Sequence, residues 1–475
     1  MATTELDPRR WLALGVVGTA FFMTILDVSI VNVALPTIGE QLDFTRGNLQ
    51  WVITAYALTF GGFLLLGGRA ADLLGRRRVF MVGVTLFSGA SLLCGLANSE
   101  GLLIGARGVQ GLGAAIISPA ALSIVSATFT EGAERNKALG IWGALGGSGA
   151  AVGVLLGGIL TKYAGWEWIF FVNVPVGALL AALAPRIVRE SRVDAAERHY
   201  DPFGAITITS GLVLLVYAIS RAPFVGWVTP RTILLLIAAV ALIGTFLAIE
   251  RTVQAPLMPF GIFRVRTVTG ANIVAALLGA VITANFFVLT LYVQNVLGFS
   301  ALKAGITFLA TAGTAVLSAG VAQALVTRVG VKPILAVGLA LMAAGMVWYT
   351  QISADGSYTS DLLPGYLFVG VGIAFAFVPV TIAALAGVAE REAGLASGLI
   401  NTTQQIGGGI GVALASTVFT SHIGTGRATL QTLTEGYALA FWAMVGFAAA
   451  AFVAALVFIR REELEEAPAT APSPG

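Results

Sequence analysis

Residues 50–97 read QWVITAYALTFGGFLLLGGRAADLLGRRRVFMVGVTLFSGASLLCGLA. A long apolar run leads into a short charged turn with one acid, Asp72, and three consecutive arginines, Arg76 to Arg78, and a second apolar run follows. An apolar run of about 20 residues is long enough to cross the hydrocarbon core of a bilayer as a helix. This stretch therefore predicts two membrane-spanning helices joined by a tight, basic turn.

The rest of the chain repeats this pattern. Of its 475 residues, 57% are hydrophobic and 11% are charged, whereas a soluble domain has about 25% charged residues. Apolar segments of spanning length occur at roughly 11–36, 50–68, 79–97, 101–125, 138–161, 168–185, 203–220, 232–249, 270–295, 305–327, 333–351, 363–387, 395–420 and 438–459. We therefore predict an all-α polytopic membrane protein with about fourteen transmembrane helices.

A weak internal repeat suggests how these helices are organised. Gly75 and Gly83, around the arginine run, are echoed by Gly330 and Gly338 with the same spacing, and parallel repeats are a recognised transporter architecture. We predict a six-helix bundle over residues 1–200, two additional linker helices over 201–250, a second six-helix bundle over 251–461, and a disordered cytoplasmic tail over 462–475.

The distribution of Lys and Arg predicts the orientation. Of the 27 basic residues, 20 fall in loops on one side of the predicted spans and six on the other. Positive loops stay in the cytoplasm, so both termini should be cytoplasmic in a multi-pass protein of the cytoplasmic membrane. Because the basic residues lie where membrane topology requires them, the net charge of +3 is no argument for nucleic-acid binding, and we expect none.

Two charges are expected deep in the bilayer, Asp27 in the first span and Arg107 in the fourth. At about 1.5 Å per residue, they lie roughly 13 Å and 9 Å below the outer ends of their helices, so they could meet. Intramembrane charges are costly and mark functional sites. Either the arginine approaches and withdraws, making Asp27 a proton switch, or the two merely neutralise each other. We favour the switch.

Other chemistries find little support. The single cysteine, Cys94, builds neither a disulfide framework nor a metal cluster, and no phosphate-binding loop of an ATPase occurs. The spans contain no cluster of His, Cys or acidic residues, so we expect no enzyme, no metal and no cofactor.

Several motifs resemble those of the major facilitator superfamily. The stretch from Gly68 to Arg78 is similar to its signature loop. Its fourteen-span drug:proton antiporter branch has motifs similar to Leu26-Asp27-Val-Ser-Ile-Val-Asn32-Val-Ala-Leu-Pro36, Arg107-Gly-Val-Gln110-Gly111, Trp166-Glu167-Trp168-Ile-Phe-Phe-Val-Asn173-Val-Pro175 and Gly398-Leu-Ile-Asn401-Thr-Thr-Gln-Gln405-Ile-Gly407.

The resemblance implies the major facilitator fold and proton-coupled efflux of hydrophobic or amphiphilic drugs, antibiotics or dyes. Transport would proceed by alternating access of two helical bundles, in a protein expected to be monomeric. Its partners would be the drug-like substrate, protons and the lipid bilayer. A proton-coupled importer of the same fold is the alternative, favoured if substrate entered together with protons.

The resemblance also implies candidate functional residues. Asp27 and Arg107 are predicted to couple protons. Conformational gating is assigned to Gly68, Asp72, Gly75, Arg76, Arg77, Gly149, Gly153, Gly157 and Gly158. Independently of the resemblance, polar or aromatic residues in otherwise apolar spans are candidates for a substrate cavity, and the alternative is that about half of them only pack helices through hydrogen bonds. These candidates are Asn32, Tyr56, Gln110, Asn272, Asn285, Phe286, Gln294, Asn401 and Gln405.

Two positions depart from the family pattern. Val154 follows Gly153 where the antiporter helix has proline, and Glu167 stands where arginine is usual. The proline-induced kink is therefore not expected here, and the glycines at spacing four are interpreted first as a close-packing surface and second as a hinge.

Overall fold

The computed structural model describes residues 8–45, 48–129, 133–191, 201–253, 263–384, 393–424 and 428–460. The secondary structure of these residues is helical, without β-strands. The helices are α1 (Arg10–Gln41), α2 (Trp51–Leu74), α3 (Arg76–Gly95), α4 (Glu100–Thr128), α5 (Ala133–Tyr163), α6 (Trp168–Phe171), α7 (Asn173–Ile187), α8 (Pro202–Val225), α9 (Pro230–Glu250), α10 (Arg266–Asn295), α11 (Ala301–Val329), α12 (Val331–Tyr349), α13 (Leu363–Ala384), α14 (Ala393–Ile423) and α15 (Leu430–Phe458). A π-helical turn, Tyr358–Leu362, precedes α13.

The predicted all-α membrane fold is confirmed. In the described part of the chain, 11 helices are long and apolar enough to cross a membrane. Shorter apolar stretches at 51–64, 152–163 and 203–219 fall on three further predicted spans, and the exact number of fourteen stays a prediction. The helix α1 extends beyond its apolar run, since it passes through Pro36 and ends at Gln41. Membrane helices tolerate an internal proline when neighbouring groups satisfy the freed backbone.

Two compact units make up the chain. The first comprises Met1–Val213 and Val293–Leu309, and the second comprises Leu214–Tyr292 and Ala310–Gly475. In the first unit, α2 and α3 both pack against α4, and α1 packs against α5. In the second, α12 packs against α13 and α15. The domain boundaries drawn from the sequence, at 200 and 250, stay a prediction, and the tail over 462–475 lies outside the described residues.

The repeat seen in the sequence corresponds to a repeated local geometry. Gly75, before α3, and Gly330, before α12, both adopt positive φ angles, 111° and 93°. Eight residues further on, a Cβ on Gly83 would lie 3.0 Å from the backbone nitrogen of Ile117 in α4, and one on Gly338 would lie 2.5 Å from a backbone nitrogen of α13. Each copy therefore uses one glycine to turn the chain and one to let the next helix approach closely.

Candidate functional site

Asp27 is the centre of a buried polar cluster in the first unit. Its side chain, on α1, has no solvent exposure. Arg107 on α4 donates from Nη1 to Oδ2 of Asp27 at 2.5 Å. Gln110 on α4 and Asn173 on α7 donate to the other oxygen, Oδ1, at 2.8 and 3.1 Å. The two predicted intramembrane charges thus form a direct ion pair, and two amides also donate to the carboxylate.

Arg107 has partners besides the carboxylate. Its Nε donates to the carbonyl of Val52 at 3.0 Å, and Nη1 also donates to Oε1 of Gln110 at 2.7 Å. The guanidinium carbon lies 4.3 Å from the ring centroid of Tyr56 and 5.7 Å from that of Phe170. A planar guanidinium gains cation–π attraction over such rings. These contacts can hold the guanidinium even when its bond to Asp27 is broken.

A second layer supports the amides. The hydroxyl of Ser91 on α3 accepts from Gln110 Nε2 at 3.1 Å and from Asn173 Nδ2 at 3.0 Å, and donates to the Phe170 carbonyl at 2.9 Å. Cys94 on the same helix donates from Sγ to Gln110 Oε1 at 3.5 Å. Sequence reasoning did not select Ser91 or Asn173 as site residues. Asn173 could have been found as a buried amide within a quoted motif, whereas Ser91 gives no such signal.

Glycines on α4 allow the helices carrying these groups to converge. A Cβ on Gly113 would lie 2.6 Å from the backbone nitrogen of Phe87 in α3, and one on Gly111 would collide with the backbone of Tyr56 in α2. Small residues at such positions let helix backbones approach closely in membranes. The side chains of Arg107 and Gln110 therefore start from a helix that lies directly against α2 and α3.

The glycine line of α5 packs against α1 beside Asp27. A Cβ on Gly153 would lie 2.7 Å from the carbonyl oxygen of Leu26, and one on Gly157 would lie 2.8 Å from that of Ile30. One on Gly158 would lie 2.8 Å from a backbone atom of α11. Gly149 is the fourth glycine of this line, and a Cβ on it would lie 3.1 Å from the side chain of Ile25. Close packing of these glycines is observed, and their role as a hinge stays a prediction.

The basic turn between α2 and α3 is held by the segment that follows α7. Arg77 N donates to Oε1 of Glu190 at 3.1 Å, and Arg76 N donates to the carbonyl of Ser191 at 3.1 Å. The carboxylate of Glu190 also lies 3.7 Å from Arg77 Nε and 3.8 Å from Arg78 Nε. Glu190 therefore caps α3, where the first backbone N–H groups have no partner within the helix.

Gly68 and Asp72 also belong to the region of this turn. Gly68 lies near Pro119 of α4, since a Cβ there would be 3.4 Å from the proline ring. The side chain of Asp72, which the sequence assigned to conformational gating, lies outside the described residues.

Comparison with known proteins identifies the family. The family model described as Major Facilitator Superfamily matches residues 17–412. The chain belongs to this superfamily. It is 40% identical over 473 residues to the puromycin resistance protein pur8 of Streptomyces alboniger, covering 97% of this chain and 94% of the relative. It is also 37% identical to the cephamycin export protein CmcT of Amycolatopsis lactamdurans, covering 86% and 84% of the two chains.

Solved structures agree on the fold. A bacterial homologue of the human lysosomal transporter Spinster superposes with a TM-score of 0.68 at 16% identity, covering 98% of this chain and 100% of that one. The nucleoside transporter NupG superposes with a TM-score of 0.65 at 12% identity, covering 94% and 99%. The chain is therefore a multi-span membrane transporter with the major facilitator fold, as its motifs predicted.

The predicted cavity residues of this transporter fall into two groups. The first unit contains Asn32, Tyr56, Gln110 and Gln294. The second unit contains Asn272, Asn285, Phe286, Asn401 and Gln405. In the first group, Gln110 belongs to the Asp27 cluster and Tyr56 covers Arg107, as described above.

Other members of these groups bond to helix carbonyls. Asn32 donates to the carbonyl of Val28 at 2.7 Å, and Asn272 donates to that of Val268 at 2.9 Å. Gln294 donates across helices to the carbonyl of Val33 at 2.9 Å. These bonds give the side-chain N–H groups acceptors within the protein. The role of the nine residues in substrate binding stays a prediction.

Proposed function

We propose that this transporter exports hydrophobic or amphiphilic drug-like molecules in exchange for protons, by alternating access in the cytoplasmic membrane. The buried ion pair of Asp27 and Arg107 is the observation that supports proton coupling. Placing a charged side chain at the centre of a membrane helix costs about 3 kcal/mol on insertion scales, so a carboxylate is retained there when transport needs it. The names of the relatives, puromycin resistance and cephamycin export, support the substrate class.

Asp27 is the proposed proton carrier and Arg107 its modulator. In the arrangement described, the carboxylate is ionised and compensated by the guanidinium. A proton that reaches the carboxylate removes the charge that attracts Arg107, which then rests on the Val52 carbonyl and the ring of Tyr56. The pair thus has two arrangements, paired or separated, and the proton selects between them.

The remaining assignments complete the proposal. The excess of basic residues in one set of loops supports a cytoplasmic location of both termini. We assign gating to the basic turn and to the glycine line of α5, and we expect the protein to act as a monomer.

Transport in everted membrane vesicles tests the proposal. With an imposed proton gradient, wild-type vesicles should accumulate puromycin or an amphiphilic dye, and Asp27→Asn vesicles should not. Arg107→Ala should also reduce accumulation, because the carboxylate loses its modulator. Counterflow, which exchanges labelled for unlabelled substrate without a gradient, should persist in Asp27→Asn and so shows that the variant is folded. Accumulation by Asp27→Asn against a gradient would refute the coupling assignment.

A further inference from the structure

The two oxygens of the Asp27 carboxylate have different environments. Oδ1 accepts two N–H groups, from Gln110 and Asn173. Oδ2 accepts one, from Arg107. A carboxylate oxygen has two lone pairs available for hydrogen bonds, so both are occupied on Oδ1 and one remains on Oδ2. The carboxylate is therefore asymmetric, and the asymmetry comes from Asn173 and its neighbours.

Ser91 fixes the orientation of both amides. Each amide has two N–H groups; one from each goes to Oδ1 of Asp27 and the other to the hydroxyl of Ser91. The hydroxyl then donates its own proton to the carbonyl of Phe170. Gln110 is held further because its Oε1 accepts from Arg107 Nη1. Both N–H groups of each amide thus have an acceptor, and these bonds fix the orientation of the two side chains.

We infer that Asn173 and Ser91 are positioning residues for the proton site, which together with Gln110 hold Oδ1 as a fixed acceptor and leave Oδ2 as the atom that takes the proton. The inference rests on the proposed proton coupling and names the atom at which it occurs. In the step, a hydronium ion gives up a proton, an O–H bond forms at Oδ2, a water molecule is left, and the hydrogen bond from Arg107 to Oδ2 breaks. Arg107 keeps its own protons, and the amide bonds to Oδ1 persist because a neutral carboxyl oxygen still accepts.

Few ionisable groups surround Asp27 among the described residues. Among the described residues, the ionisable groups that interact with it are Arg107 on α4, Tyr56 on α2 and Cys94 on α3. Arg107 is the one that donates a hydrogen bond to the carboxylate. Arg107 is therefore the charged partner of Oδ2, and the two amides are the neutral partners of Oδ1.

Infrared difference spectroscopy on the purified, lipid-reconstituted protein tests this inference. The carbonyl band of a protonated carboxyl group that is absent in Asp27→Asn is assigned to Asp27 and followed against pH. Asn173→Ala should raise the midpoint of this titration by about one pH unit, because it removes one direct hydrogen bond to a charged group. Ser91→Ala, which acts through the amides, should raise it by a smaller amount.

Ser88→Ala is the matched control. Ser88 is buried one turn before Ser91 on α3, and its hydroxyl has no hydrogen-bond partner among the described residues, so its removal should leave the midpoint unchanged. If the midpoints of Asn173→Ala and Ser91→Ala both equal that of Ser88→Ala, the inference is wrong while proton coupling stands. If Asn173→Ala does not fold, Ser91→Ala decides alone. If no Asp27 band titrates in the wild type, the proposed coupling itself fails.

Discussion

Gly153→Ala should weaken the packing of α5 on α1 beside Asp27. The added Cβ would lie 2.7 Å from the carbonyl oxygen of Leu26 and 2.9 Å from Cβ of Ser29. Since the nearest atom belongs to the backbone and not to a flexible side chain, α1 and α5 must separate by several tenths of an ångström. Overpacking of this kind costs about 1–3 kcal/mol, and replacing glycine by alanine within a helix returns about 0.5–1 kcal/mol.

The matched control is Gly89→Ala on α3, in the same unit as Gly153 and Cys94, where an added Cβ would meet no atom within 4 Å. This variant replaces glycine by alanine without a clash, so it should gain only the stabilisation of the helix. Gly153→Ala should therefore unfold at a lower temperature than Gly89→Ala. The expected separation is a few degrees, since 1 kcal/mol corresponds to about 2–4 °C for units of this size.

The chain supplies its own reporter for this measurement. Its single cysteine, Cys94, is fully buried, so a thiol-reactive fluorophore labels it when the first unit opens. Heating the purified protein with such a dye gives the unfolding temperature without further labelling. An unfolding temperature for Gly153→Ala equal to or above that of Gly89→Ala would refute the close-packing interpretation.

Two further predictions use the same assay. Glu190→Ala should lower stability by about 1 kcal/mol, because α3 loses its capping carboxylate, and Glu190→Gln should lose less because an amide oxygen can still accept from Arg77; equal losses would contradict capping. Tyr56→Phe should be neutral or stabilising, because its buried hydroxyl has no hydrogen-bond partner among the described residues. Tyr56→Leu should cost about 1–2 kcal/mol, because Arg107 loses a cation–π contact; a Tyr56→Leu variant as stable as Tyr56→Phe would contradict that contact.

The arrangement around Asp27 is compatible with the proposed proton switch. A buried carboxylate is tolerated when it is paired and hydrogen-bonded, and here two amides and a guanidinium donate to it. The guanidinium has alternative partners in Val52 and Tyr56. In the proposed switch, loss of the Asp27 charge would therefore leave Arg107 with these two contacts.

The sequence by itself determined the class of the protein and the two charged residues that are most costly to place in a bilayer. Hydrophobicity over spanning lengths is a property of the chain, because the bilayer requires about 20 apolar residues whatever the neighbouring helices do. The fixed rise of the α-helix placed Asp27 and Arg107 at similar depth before any contact was known. The structure pairs them at 2.5 Å.

Only the tertiary structure decided which polar side chains act together. A polar residue in a membrane helix can bond to the carbonyl four residues before it, as Asn32 does with Val28, or to a side chain of another helix, as Asn173 does with Asp27. Residue type does not distinguish these cases, because the outcome depends on how each helix is rotated and how closely its neighbours approach. For this reason the contacts of Ser91 and Glu190 could be identified from the packing of the helices but not from a sequence pattern.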